Sequence, residues 1–213
     1  MPENPLSPTS SPHKEALATL GVPCRYRRGA LLIQEGETGD SLYIVLKGRL
    51  RTFLAGGQGK ELTLAVHGRL ECVGEMLLDG GPSPVHVEAL ESCTCAVIAR
   101  RVLLDYTAAH PEFALELMGN IIRRARMATE SARSVALIDV YGRLVRLLDR
   151  MAEPPDALGA RCLQEKMTHQ QLSQHLACSR EMVSRLLKDL ETGGYIEVHE
   201  RRIRLLKNLP ARW

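Results

Sequence analysis

THQQLSQHLACSREMVSRLLKDL, residues 168–190, is the stretch whose reading decides the fold. Thr168 is followed three residues later by Gln171, a capping-box arrangement that satisfies the free amides at a helix start, so a short helix runs from Thr168 to Leu176. After Ala177-Cys178 a second start signal appears at Ser179, and Val183, Leu186, Leu187 and Leu190 then recur at helical spacing. Gly193-Gly194 closes that second helix. Two short helices across a tight turn, with Leu172 and Leu176 facing Val183 and Leu187, predict a helix-turn-helix.

The polar remainder of the second helix points to a use. Arg180, Glu181, Ser184, Arg185 and Lys188 share the face opposite the leucines. A DNA major groove admits one helix and presents guanine N7 and O6 to an arginine fork and cytosine N4 to a carboxylate, which suits Arg180 and Arg185 to guanines and Glu181 to cytosine. Any amphipathic surface helix carries mixed charges opposite its core, so the surroundings have to decide. Tyr195–Val198 and Arg202–Leu206 are β-prone runs joined by the charged turn His199-Glu200-Arg201, a hairpin that would form a wing. Arg201 and Arg202 there, with Arg204 and Lys207, and Thr168, His169, Ser179, Ser184 and Lys188 on the helices, are candidates for phosphate contacts that position the reader without specifying sequence.

Upstream, Pro111 to about Val135 holds no glycine except Gly119 and keeps a helical period, predicting a helix of about 25 residues. Ala114, Met118, Ile121, Ala125, Ala128, Ala132 and Val135 alternate spacings of four and three, which keeps one stripe facing a partner helix and predicts a dimer seam. Leu115, Leu117 and Ile122 offer a second face to pack on the preceding domain. A further helix, Val140–Met151, ends before Pro154-Pro155. From Arg25 to Ala99, short apolar runs at Ser41–Leu46, Arg49–Leu54, Glu61–Val66 and Cys93–Ile98 alternate with glycines, as in a small antiparallel barrel or roll. The chain therefore divides into a flexible N-terminus with a short helix (1–20), a β-roll (21–110), a dimerisation helix (111–138) and a winged helix-turn-helix (139–213), an α+β protein.

Bulk properties fit this division. The formal net charge of +3 lies entirely after residue 138, where 13 Lys and Arg stand against 10 Asp and Glu. Six cysteines are scattered without a CxxC pair, so they read as buried small apolar residues of a reducing compartment. No apolar run approaches the roughly 20 residues needed to span a bilayer, and the Pro- and Ser-rich start lacks the centre of a signal peptide, so a cytoplasmic protein is expected. No nucleophile, base and orienter form a catalytic motif. Glu35, Glu37, Asp40 and Glu75 read as roll-loop and pocket groups, and no enzyme is expected.

The order of roll, long helix and winged helix-turn-helix, with CSREMVSRLLKDLE at 178–191, resembles the cyclic-AMP receptor protein/FNR (CRP/FNR) family of bacterial regulators. The resemblance covers about residues 20–207 and is carried also by EGE at 35–37, GDSLYIVLKGRL at 39–50, VGEM at 73–76 and IDVYGRL at 138–144. It implies a cyclic-nucleotide-binding-like jelly roll at the N-terminus. It implies base contacts by Arg180, Glu181 and Arg185, and an inverted repeat of TGTGA-like half-sites as target. It implies that Gly74, Glu75 and Met76 open an effector pocket, with Glu75 accepting a ribose hydroxyl. The family's Arg-Ser phosphate pair corresponds here to Ser83-Pro84, and its Thr-Ser base pair to Ala128-Thr129. Replacing a guanidinium by a hydroxyl removes the bidentate charged phosphate partner, which argues against cyclic AMP in the usual pose.

The effector stays open at this stage: a cyclic nucleotide, a cyclic dinucleotide, or none, with Arg49, Arg51 or His86 as substitute polar groups. An FNR-like iron-sulfur cluster lacks its N-terminal cysteines, only Cys24 lying nearby. A haem would need an axial ligand from Cys72, His67 or His86, residue types that are more often structural in a roll. No metal ligand set stands out. RNA polymerase is a candidate partner of an activator through the loop 156–162, a match that does not separate activation from repression. The alternative to a DNA reader, a small-molecule-binding module whose C-terminal domain serves protein interaction, is opposed by the retention of Arg180, Glu181 and Arg185.

Overall fold

The computed structural model describes residues 11–57, 60–156 and 159–210. The expectation of a flexible start at residues 1–10 lies outside them. The chain forms two compact units, residues 1–55 with 63–128 and residues 56–62 with 129–213, the division falling inside the long helix.

The first unit begins with α1 (Pro12–Thr19), whose Pro12 occupies the first turn, where a fixed φ helps and a missing N–H costs nothing. Eight strands follow: β1 (Val22–Tyr26), β2 (Leu31–Ile33), β3 (Ser41–Lys47), β4 (Leu50–Ala55), β5 (Glu61–His67), β6 (Cys72–Val73), β7 (His86–Ala89) and β8 (Cys93–Ala99). They make two four-stranded sheets, ordered β1-β8-β3-β6 and β2-β7-β4-β5, and every pairing whose register is defined is antiparallel. The central strands of the first sheet, β3 and β8, bury residues on both faces. Along β8, Cys93 and Cys95 join Val45, Val73 and Val87 in the core between the sheets, while Ala96 and Ile98 turn outward to Leu17, Leu103, Tyr106 and Phe113. The β3–β4 turn needs Gly48, whose φ is +87° and where a Cβ would stand 2.7 Å from the Ser92 carbonyl oxygen.

Two helices then cover the outer face. The sequence reading passed over α2 (Arg100–Ala109), a short helix that buries Leu103 and Tyr106. α3 (Pro111–Leu137) is two residues longer than its predicted end. The expectation that Leu115, Leu117 and Ile122 pack on the roll holds only for Leu117. Leu115 and Ile122 are 67% and 52% exposed, and the fully buried Phe113 anchors the helix instead.

In the second unit, α4 (Val140–Met151) is N-capped by Asp139, whose carboxylate accepts from Gly142 N at 2.7 Å. β9 (Arg161–Cys162), α5 (His169–Leu176), α6 (Arg180–Thr192), β10 (Ile196–His199) and β11 (Arg202–Leu205) complete it. Leu144, Leu148, Leu172, Leu176, Val183, Leu187, Leu190 and Ile203 share one core, so the predicted helix-to-helix packing is present. The wing holds a third strand that the sequence reading took as loop: β9 pairs with β11 through Cys162 to Arg204 and Arg161 to Leu205. Two residues give too little pattern to be read as a strand. Ala157 and Leu158, within the loop expected to meet RNA polymerase, lie outside the described residues.

Candidate nucleic-acid interface and effector pocket

Two caps and one clamp set the helix-turn-helix. Thr168 Oγ1 accepts from Gln171 N at 3.1 Å while Gln171 Oε1 accepts from Thr168 N at 2.9 Å, the reciprocal box predicted from their spacing. Ser179 Oγ accepts from Met182 N at 3.2 Å and starts α6. Between them Ala177 adopts the left-handed conformation, φ +51°, which makes the turn tight enough to bring the helices together. Arg143, within the IDVYGRL motif, donates to the Leu176 carbonyl at the end of α5 and to the Ile138 carbonyl beyond α3. Sequence reasoning missed this clamp, because nothing local marks an arginine whose partner lies 33 residues away.

The polar side of α6 faces away from the core. Arg180, Glu181, Arg185 and Lys188 are exposed on α6, and their side chains make no hydrogen bond or ion pair among the described residues. Ser184 differs, since its hydroxyl donates to the Arg180 carbonyl at 3.0 Å and meets His169 Nδ1 at 2.7 Å. These two candidates for phosphate contact thereby link α5 to α6. On the wing, Glu200 and Arg201 have φ of +48° and +66°, values that a two-residue hairpin turn with right-handed strand twist demands. Arg201 and Arg202 are exposed there, whereas Arg204 is paired with Asp156 at 2.8 Å and Lys207 lies 5.5 Å over the Tyr195 ring. A cavity of about 310 Å³ opens between the start of α5, the start of α6 and the wing, lined by His169, Arg180 and Arg201 among others.

The tentative effector pocket is organised around Glu75. Gly74 is buried with φ +94°, and a Cβ there would stand 2.7 Å from the Ser41 carbonyl oxygen, so the turn requires glycine. Glu75 opens a 3-10 turn, Glu75–Leu77, and its side chain is 8% exposed. One of its oxygens pairs with Arg124 of α3, which also donates to the Cys72 carbonyl; the other, Oε2, is buried without a partner. Sequence reading named Glu75 but not Arg124, 49 residues away. His67 sits beside this pair and contacts Thr52 Oγ1 at 2.7 Å; burial, then the Arg124 guanidinium, pushes its pKa down to about 3. Burial pushes the Cys72 thiol up to about 12.

The other pocket candidates are placed less centrally. Ser83 is buried and its hydroxyl donates to the Val85 carbonyl at 2.7 Å, so it supports its own turn; Pro84 and Met76 are exposed. Ala128 stands one turn beyond Arg124 on α3, with Thr129 next to it, both exposed. The three substitute groups are engaged: Arg51 holds Glu88 at 2.6 Å and covers Phe53, His86 stacks on Phe53 and meets Glu35, and Arg49 pairs with Glu91. The six cysteines are all free thiols.

A two-sheet roll joined through a long helix to a capped helix-turn-helix with a wing defines a class of DNA-binding transcription regulators. Residues 23–110 match the cyclic nucleotide-binding domain family and residues 142–209 the Crp-like helix-turn-helix domain family. The chain is 30% identical over 182 residues to the cAMP-activated global transcriptional regulator CRP of Salmonella typhimurium, covering 84% of this chain and 87% of that one. It is 27% identical over 179 residues to a CRP-like cAMP-activated global transcriptional regulator of Mycobacterium tuberculosis, covering 83% and 80%. In fold it is similar to the c-di-GMP responsive global regulator CLP of Xanthomonas campestris, with a TM-score of 0.80, 24% identity, and 92% and 98% of the two chains covered. The chain belongs to the CRP/FNR family of transcription regulators, which are not enzymes. Among the described residues no helix is long and apolar enough to cross a membrane.

Proposed function

We propose that this regulator works as a homodimer that binds an inverted repeat of TGTGA-like half-sites, with Arg180, Glu181 and Arg185 reading bases in the major groove. The observation that carries this reading is the face of α6, where those three side chains and Lys188 stand exposed and uncommitted at the N-capped end of a helix whose other side is core. Thr168, His169, Arg201 and Arg202 flank it from α5 and the wing, in position to contact phosphates on either side. Dimerisation is supported by α3, where Met118, Ile121, Ala125, Ala128, Ala132 and Val135 are all exposed along one stripe of a 27-residue helix.

An effector in the roll would meet a pocket that keeps the acceptor and lacks the usual cation. Glu75 Oε2 is a buried acceptor with nothing bound to it, which suits a ligand hydroxyl. At Ser83 a bonded hydroxyl stands where relatives that bind cyclic AMP carry a guanidinium, so a cyclic phosphate would need another partner. RNA polymerase contact through the loop 156–162 belongs to the same proposal.

Fluorescence anisotropy tests it with a duplex carrying the inverted repeat and a scrambled duplex of equal composition, each without ligand and with cyclic AMP, cyclic GMP or cyclic di-GMP. In at least one condition the repeat is expected to bind about 10³-fold tighter than the scrambled duplex at physiological salt. Equal affinity for both duplexes in every condition would overturn base reading.

A further inference from the structure

Away from both sites, the junction of α1, α2 and α3 gathers three ligating side chains. His13 lies in the first turn of α1, His110 caps α2, and Glu112 is the second residue of α3. His13 Nε2 stands 3.5 Å and His110 Nδ1 3.6 Å from the same oxygen, Glu112 Oε1, and the three atoms lie within 4.8 Å of one another. These separations exceed the roughly 2.7–3.2 Å of an N–H···O hydrogen bond. They come close to the edge of a coordination tetrahedron, because ligands about 2.0–2.1 Å from a zinc ion stand about 3.3–3.4 Å apart. Closing the remaining edge requires a shift of His110, whose side chain is 44% exposed and whose ring packs against Tyr106 with centroids 4.5 Å apart.

A second observation points the same way. His13 Nδ1 is 3.1 Å from the Tyr106 hydroxyl, so one ring nitrogen is engaged and the other, Nε2, faces Glu112. A metal-ligating histidine is held in this manner, its distal nitrogen bonded so that tautomer and ring orientation are fixed. Tyr106 is itself buried and packs edge-on against Phe113, with ring centroids 5.4 Å apart. Glu116, the next acidic residue on that side of α3, is committed to Lys14 and Ser11 and leaves the cluster at three ligands.

We propose that His13, His110 and Glu112 bind a divalent late first-row transition metal, zinc foremost, with a fourth position open to water. Two imidazoles and one carboxylate suit such an ion, and a three-ligand set leaves the site open. Bound there, the ion joins α1 and the end of α2 to the first turn of α3.

The test uses the full chain, stripped with chelator and kept reduced, titrated with zinc by calorimetry and with cobalt by visible absorption. One ion per chain is expected, with a dissociation constant of about 1 μM or tighter. Cobalt should give weak d–d bands without a sulfur-to-cobalt charge-transfer band, and zinc should raise the thermal midpoint. His110→Gln and Glu112→Gln should each weaken binding tenfold or more and abolish the zinc-induced rise, each read against the variant's own apo midpoint because the half-buried His110 also packs on the Tyr106 ring. His199→Gln, on the wing, should bind as the parent does. Unchanged affinity in both junction variants, or a cobalt charge-transfer band assigning the ion to cysteine, would overturn the site.

Discussion

Arg185 and Arg202 carry the same charge and sit on different elements, and that difference should separate the proposed base reading from phosphate positioning. Arg185 projects from the exposed face of α6 one turn beyond Glu181, where a guanidinium can fork onto one base edge. Arg185→Ala should cost about 1–3 kcal/mol on the cognate duplex and relax preference at one base pair, as measured by anisotropy across single-base variants. Arg202→Ala, at the start of β11, should weaken all duplexes alike and lower the salt dependence. Equal losses on cognate and random DNA for Arg185→Ala would remove it from the reading set. Residue types on the reading face were legible in the sequence because a helical period places them by arithmetic. Glu75 was legible as a motif residue, but its Arg124 partner was not, since 49 residues of chain separate them and only the folded roll brings α3 to that turn.

Among the elements, α3 combines two demands. Its first turns are held by Phe113 and Leu117 in the core, and beyond them its apolar side chains face outward. The exposed face is broader than the predicted seam, because Leu115, Ile122 and Met127 are exposed as well. Burying such a stripe against a second copy removes apolar area from water, at about 25 cal/mol per Å². Ala128→Glu would place two carboxylates close to the two-fold contact of the proposed dimer, where like charges repel and must be desolvated. Sedimentation equilibrium should show dimer dissociation at least about tenfold easier, a change of about 1.4 kcal/mol. An unchanged dimer would place the seam elsewhere. Elements with a strong period, such as α3, α4 and α6, were predicted nearly to the residue. The short strands β6 and β9 and the ten-residue α2 were not, because elements this short carry too little pattern of their own.

At the scale of the whole molecule, a two-fold dimer must deliver both copies of α6 to one face of the duplex. Half-site centres about 34 Å apart, one helical turn, satisfy that requirement. Inserting five base pairs between the half-sites rotates one of them by about half a turn and should reduce binding to the level of scrambled DNA, whereas inserting ten should restore part of it. Equal binding to all three spacings would show that the helices act independently. The sequence by itself determined the order of domains, and it determined the caps at Thr168 and Ser179, the leucine stripe and the polar face of α6 because each of these depends on residues within a few helical turns. Only tertiary structure decided that Arg124 engages Glu75, that Ser83 spends its hydroxyl on its own turn, and that His13, His110 and Glu112 meet. Those outcomes depend on which distant segments share a core and on where burial leaves a polar atom unpaired, and no local pattern encodes either.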